Sequence, residues 1–574
     1  MLSVPTDKRE LITFANELVT QCRVSVGVRA SYCRLMNTIT ETGRYDGNKS
    51  LINMLYKHLD RTASHLFSPV ELKFSVDYDR VYPKQFIDRA GVVATQLTRD
   101  WARNSTDTLF GRGVFEALKY GGSILKQWVQ VEGLEERPCY NKKLLLPWQF
   151  GVYNESENDI MKQPAMCETT RMTLPEVWQR LAHLPDARKL YERIKSHACK
   201  GNADAASPDS YFNQVLSTAV LDVGVNGGTN VIPGGVLQIG QNANMSVITP
   251  QVAADTVQFH ELWVQDEKDY TTIQLIEPDI IIAPIYKKMN LLGVKRQHPY
   301  RLIQPNEVTN WFWGRSELVD LVEPQMLLSL WADDIKRLFG LQIDKIIAFM
   351  GEDGINDEKY AQMRQAGYFG LGANSKIQDL TPQMPPNAMQ MLEFVIDIIN
   401  NLAGFPDIMQ GRGEAGVRAG SHASTLMKTA SPTLRDRALL VERQCAVAAA
   451  LSLAIKQAKD PQKYWTNADT LDEIEKTSFL LTDIPEDWRV GVDSHSSSPI
   501  FSDENQNLVF ASHKSGIVTS DYVIDTLPYP NKEQAKAMLK DKEAQGAAQT
   551  AQIMKQYPAL GEKMAEKRLV GGRD

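Results

Sequence analysis

Two segments of this chain, 315–340 and 388–403, carry apolar residues at helical spacing, and what lies between them is short and punctuated. In the first, Val319, Val322, Met326, Leu330 and Ile335 fall on or near one face, with Pro324 expected to kink the helix. In the second, Met391, Leu392, Val395, Ile398, Ile399 and Leu402 do the same. The stretch between them is broken by Gly351, Gly354, Gly367, Gly370 and Gly372 and closes on Pro382, Pro385 and Pro386, so only short elements are expected there. A helix with one apolar stripe has to bury that stripe against something, and two such helices flanking an insert pose that demand twice.

The rest of the chain frames this pair. The first third reads as helical, over 5–24, 47–67 (with Leu51, Met54, Leu55 and Leu59 in phase) and two helices within 84–119, where Phe110, Val114, Phe115 and Leu118 make one stripe. Gly121-Gly122 ends that run and Ser123 to Val131 reads as a strand. Residues 140–300 are mixed: a helix over 174–196 capped by Thr173 with Pro175 in its first turn, a Gly- and Asn-rich loop over 224–248, and a hairpin from Val257 to Ile276 turning at 266–269. Beyond the second apolar segment come a Gly-rich loop over 404–421, a long helix to Lys459 with a break expected at Ser431-Pro432, strand character over 477–500, and short helices with a charged tail from about 503. The fold class expected is α+β, predominantly helical, with no internal repeat.

Composition limits the partners. A protein that grips DNA usually carries a basic surplus, because affinity comes from neutralising phosphates. This chain of 574 residues has a net charge of −7. Nucleic acid is therefore either no partner or one that must slide past without being held. Cys22, Cys33, Cys139, Cys167, Cys199 and Cys445 are scattered without a CxxC pair, a pattern of free thiols in a reducing compartment. The start lacks a basic-then-apolar run, and the most apolar stretch, Cys445 to Ile455, is too short to span a bilayer, so a soluble protein assembled in a cytoplasm is expected, with no membrane partner.

The motifs that carry chemistry are few. Gly411, Gly413 and Gly416 spell GxGxxG, but the motif follows a predicted helix, whereas a dinucleotide site needs a strand there. A mobile loop free of bulky side chains is the plainer reading. Phosphate-loop, GxSxG, HExxH and EF-hand patterns do not occur. The histidines are dispersed, His422 alone standing beside the loop, and Asp77, Asp79, Asp333 and Asp334 read as solvated faces. Arg412, Arg418, Lys428, Arg435, Arg437 and Arg443 gather in and after the loop, where inter-subunit ion pairs and phosphate contacts are equally open; no aromatics interleave to stack bases. No enzyme, catalytic residue, metal or cofactor is expected.

Four stretches resemble the portal proteins of tailed double-stranded DNA bacteriophages. They are DTLFGRGVFEALKYGGSILKQWV (Asp107 to Val129), HPYRLIQPNEVTNWFWGRSELVDLVEPQMLLSLWADDIKR (His298 to Arg337, with its Gly314-Arg315-Ser316), INNLAGFPDIMQGRGEAGVRAGSHASTLM (Ile399 to Met427) and SSSPIFSDENQNLVFASHKSGIVTSDYVI (Ser497 to Ile524). The order of the parts carries more of the likeness than any one motif. It spans most of 80–545 and leaves 150–250 unplaced.

The resemblance implies a ring of about twelve subunits around a DNA channel at the capsid's unique vertex. Residues 1–314 would be the wing, 315–340 and 388–404 the stem helices, 341–387 the clip and 405–421 the tunnel loop. Residues 422–459 would be a long kinked wing helix, 460–502 returning wing strands and 503–574 the crown. Arg412, Glu414, Arg418, His422 and Lys428 would face the duplex. Implied partners are further copies of the chain, the DNA, the packaging terminase, major capsid and scaffolding proteins, and a head-tail adaptor. A nucleotide-binding enzyme using the Gly411–Gly416 loop, or another virion structural protein, stands as the alternative.

Overall fold

The computed structural model describes residues 2–46, 49–69, 72–132, 137–182, 186–198, 255–266, 269–277, 279–283, 290–343, 347–350, 376–404, 432–459, 462–466, 477–485, 487–492 and 508–520, with a few isolated positions besides. Its helices are α1 (Lys8–Cys22), α2 (Val26–Thr42), α3 (Leu55–Leu66), α4 (Lys84–Arg103), α5 (Thr106–Tyr120), α6 (Leu174–Leu181), α7 (Ala187–His197), α8 (Val322–Ile343), α9 (Ala388–Leu402) and α10 (Pro432–Lys459). Its strands are β1 (Phe74–Tyr78), β2 (Ser123–Glu132), β3 (Arg137–Leu145), β4 (Phe150–Val152), β5 (Ala165–Thr173), β6 (Thr256–Asp266), β7 (Asp269–Ile276), β8 (Ile280–Ala283), β9 (Tyr300–Ile303), β10 (Ile347–Met350), β11 (Lys376–Asp379), β12 (Lys463–Trp465), β13 (Ser478–Leu480) and β14 (Trp488–Val492).

The alternation of strand side chains builds four layers. An antiparallel sheet in the order β4-β5-β6-β7-β8 stacks on another in the order β3-β2-β9. On β5, Ala165 and Cys167 point to α1, joined by Leu262, Val264 and Ile273. Met166 points the other way, toward Ile124 and Tyr300 of the smaller sheet. On β2, Ile124 faces the larger sheet, whereas Leu125 joins the core under α5 and α10. Three two-stranded pairs complete the framework, β1 with β14, β10 with β11 and β12 with β13.

Several boundaries differ from the sequence reading, each for a local reason. Helix α1 begins after Asp7, whose carboxylate accepts from the amides of Arg9 and Glu10 at 3.0 and 3.3 Å. The helix expected over 47–67 begins only at Leu55. Asn53 accepts from the Leu55 amide and Ser50 bonds to Ile52, so side chains take over the backbone groups a helix would need. The helix expected over 174–196 is two helices, with Asp186 at φ +64° between them. Pro175 sits in the first turn, and the Glu176 carboxylate accepts from the Thr173 amide at 2.8 Å. The hairpin of β6 and β7 is as expected, closing at Asp266 and Asp269.

Helix α8 starts at Val322 instead of 315. Pro324 therefore lies in its first turn, where its missing N–H costs nothing and no kink is needed. Pro432 is likewise the first residue of α10, while 422–431 and the 224–248 loop lie outside the described residues. Of the 341–387 insert, β10 and β11 pair antiparallel, Ile347 opposite Asp379. The return strands are present: β14 pairs with β1, Phe74 opposite Val492. Of 503–574 little beyond 508–520 is described.

Candidate functional site: the helix pair and its base

Helices α8 and α9 pack on each other, and strands β10 and β11 follow the first and precede the second. Helix α9 has two apolar stripes where the sequence suggested one, and α8 has exposed apolar residues on more than one side. On α9, Leu392, Val395 and Ile399 are buried, whereas Met389, Met391, Phe394 and Leu402 are exposed, Phe394 at 63%. On α8 the buried face is Val322, Gln325, Leu328, Ser329 and Ala332. Leu330 and Val319, placed from the sequence on or near one face with Val322, are exposed, as are Leu327, Phe339 and Ile343, the last at 74%. Large apolar side chains at this density on one surface mark an interaction face.

The inward face of α8 is partly polar because the chain at 43–54 supplies it with partners. Gln325 donates to the Ile52 carbonyl at 2.7 Å and accepts from the Met54 amide at 3.1 Å. The Ser329 hydroxyl lies 3.1 Å from the Gly43 carbonyl and 2.9 Å from Ser50. One turn on, Asp333 pairs with Arg44, so this residue is an ion-pair partner and not merely a solvated face. Gln325, Ser329 and Asp333 are spaced by one helical turn, which lines up all three along one side.

The segment leading into α8 also closes α5. The last carbonyls of a helix lack intrahelical donors. Here the Ser316 hydroxyl donates to Lys119 O at 2.7 Å and the Glu317 amide to Leu118 O at 2.8 Å. The Glu317 carboxylate then gathers three elements. Arg437 of α10 donates to both of its oxygens at 3.0 and 2.9 Å, Asn306 donates at 2.9 Å, and His58 of α3 lies at 3.5 Å. Burial alone would raise this carboxyl, but His58, Arg437 and Asn306 outweigh it and hold its pKa at about 2.

A second buried polar cluster lies between the two sheets. Lys126 Nζ is 2.5 Å from Glu168 and 2.8 Å from Glu261, and the Tyr300 hydroxyl donates to Glu168 at 3.1 Å. Trp263 and Gln274 donate to Glu261 at 2.9 and 3.1 Å. Burial pushes the Glu261 carboxyl up and the Lys126 ammonium more than reverses it. All these groups are packed between sheets, so the cluster is a joint and offers nothing to a substrate. The cavity beside Trp101, about 10 Å³, has room for no more than one water. Among the described residues no three His, Cys, Asp or Glu side chains gather as metal ligands.

The residues named from the sequence as facing DNA, Arg412, Glu414, Arg418, His422 and Lys428, lie outside the described residues, as do Gly411, Gly413 and Gly416. Of the other basic residues, Arg435 and Arg443 are exposed, while Arg437 makes its ion pair within the subunit, with Glu317. Asp77, on β1, and Asp79, just beyond it, are exposed. Glu317, Arg44 and Lys126 escaped the sequence reading because their partners lie between 42 and 289 residues away. Among the described residues one helix, Leu434–Lys459, is apolar and long enough to cross a membrane by composition, but 56% of its apolar window is buried against the body.

No protein-family model matches the chain, and no curated protein matches it either.

Proposed function

We propose that this chain is the subunit of a portal, a ring that forms the DNA channel at one vertex of a tailed-phage capsid. The observation that carries the reading is the pair α8 and α9, whose exposed large apolar residues, among them Leu327 and Leu330 of the first and an outward stripe through Met391, Phe394 and Leu402 of the second, the subunit leaves uncovered. A neighbouring copy set beside it covers such a stripe, and a head-to-tail contact repeated by a closing rotation makes a ring. The order of parts favours a portal over other ring proteins: a four-layer body, a helix, an insert opening and closing on one strand pair, a returning helix, and a long core helix.

On this reading the chain is a conduit and not an enzyme. Genome movement is driven by a separate terminase, which docks on the 341–387 insert between α8 and α9 and is later replaced by the head-tail adaptor. Capsid and scaffolding proteins surround the body. Arg412, Glu414, Arg418, His422 and Lys428 border the channel, where an acidic chain with a few local cations lets a polyanion pass without arresting it.

Negative-stain imaging and native mass measurement of the purified protein test the proposal. Closed rings with a central hole are expected. A stable monomer at micromolar concentration, or open fibres, would sink it.

A further inference from the structure

Several cations set into the body of this subunit are matched by carboxylates. Lys126 has Glu168 and Glu261, Lys456 has Asp100, and Arg29 has Glu155. Arg301, on β9, is only 5% exposed and is held differently. Its Nη1 donates to the carbonyls of His298 and Tyr300 at 3.1 and 2.8 Å, and its Nη2 donates to the Gln297 side chain at 2.5 Å. All three acceptors are neutral. Among the described residues no carboxylate pairs with this guanidinium.

Two buried donors remain beside it. Arg301 Nε has no hydrogen-bond partner among the described residues, and neither has Nε2 of the fully buried His298. The Tyr300 amide donates to His298 Nδ1 at 3.3 Å, so the ring hydrogen sits on Nε2. Burial first, and then the nearby Arg301 charge, push the imidazole well below its usual pKa, so it is neutral and keeps that hydrogen. The Tyr270 ring packs edge-on against it, with centroids 5.2 Å apart.

A buried cation without a counter-charge is costly, and buried N–H groups without acceptors add to the cost. The loose ends at this turn are of one kind, donors and positive charge. A water can accept from the N–H groups, but it brings no charge and needs acceptors for its own hydrogens. An anion only accepts, and it cancels the charge as well.

We propose that a halide ion, chloride in practice, binds beside Arg301 and His298 and accepts from Arg301 Nε and His298 Nε2. The burial of both residues sets the class of ligand. A phosphate or an organic carboxylate needs an opening to solvent, whereas a halide is little larger than a water and can be enclosed as the chain folds. The site belongs to one subunit and does not rest on the portal reading.

Thermal unfolding of the full chain tests this, at constant ionic strength, with sodium gluconate replaced stepwise by sodium chloride or bromide. Gluconate is too large to be enclosed. Relative to R301M, which lacks both the charge and the Nε donor, the wild type should gain about 1 °C for each tenfold rise in halide above the dissociation constant. A second measurement needs no variant and decides the matter if R301M does not fold. Crystals of the wild type grown in bromide should show an anomalous scattering peak in contact with both nitrogens. An equal halide response in wild type and R301M, or bromide crystals without that peak, would overturn the site.

Discussion

Gly121 and Gly314 meet backbone to backbone, each with a positive φ, at +97° and +68°. A Cβ on Gly314 would lie 2.7 Å from Gly121 O and 2.6 Å from Asn306 O, and one on Gly121 would lie 2.9 Å from Gly314 O. Backbone oxygens cannot swing aside as a side chain would. G121A and G314A should therefore cost about 1 kcal/mol for the left-handed conformation and roughly 2 more for the clash. Gly404 provides the control, at φ +69° with open space around it. Urea unfolding should place G314A well below G404A; equal losses would mean the two backbones are not in tight contact.

The Glu317 carboxyl sets a pH dependence. Its folded pKa of about 2 lies below the ordinary carboxylate value, so the unfolded chain binds more protons in the acid range. The stabilisation is complete above about pH 5 and is lost as pH falls through about 2. At neutral pH it is on the order of 3 kcal/mol. The stability difference between wild type and E317Q should stay constant from pH 7 to 5 and close below that. A gap independent of pH would assign the effect to packing.

Lys126 stands between two buried carboxylates. K126M would leave Glu261 buried without its cation and Glu168 with only the more distant Lys143, at 3.8 Å, at a cost of roughly 3–5 kcal/mol. Adding E168Q and E261Q to K126M should recover a large part, because the uncompensated charge is gone. Denaturant titrations would check both. A loss under about 1 kcal/mol for K126M would show that water reaches the cluster.

The channel assignment has its own test. R412A/R418A should alter packaging or retention of DNA in particles while ring assembly stays intact. Normal packaging and retention would remove these two residues from the channel.

What the sequence shows well is periodicity. The hairpin of β6 and β7, the end of α5 at Gly121 and the extent of α9 follow from local pattern and turn chemistry. Helix α2 gave no such signal. It ends in three Thr spaced by two, and Thr40 and Thr42 bond back to Met36 and Thr38, so tertiary packing holds it in place. Apolar spacing grouped Leu330 with Val322 on α8 and gave no sign that Gln325 and Ser329 are inside. Polar residues turn inward when distant backbone supplies their partners, and one sequence does not show which distant backbone that is.

The last prediction separates assembly from folding. Phe394 is exposed on the outward face of α9, away from the buried stripe of Leu392, Val395 and Ile399, and Ile343 is exposed at the end of α8, in line with its buried Ala332. F394D and I343D place a charge on a surface that is already in water in the isolated subunit, so monomer stability should change by no more than about 0.5 kcal/mol. In an assembled ring the same charge would be buried without a partner, at several kcal/mol in every interface. Both variants should remain folded by circular dichroism and sediment as monomers where the wild type sediments as a ring. Rings formed normally by F394D and I343D would mean that the subunit contact lies elsewhere and that these stripes serve another partner.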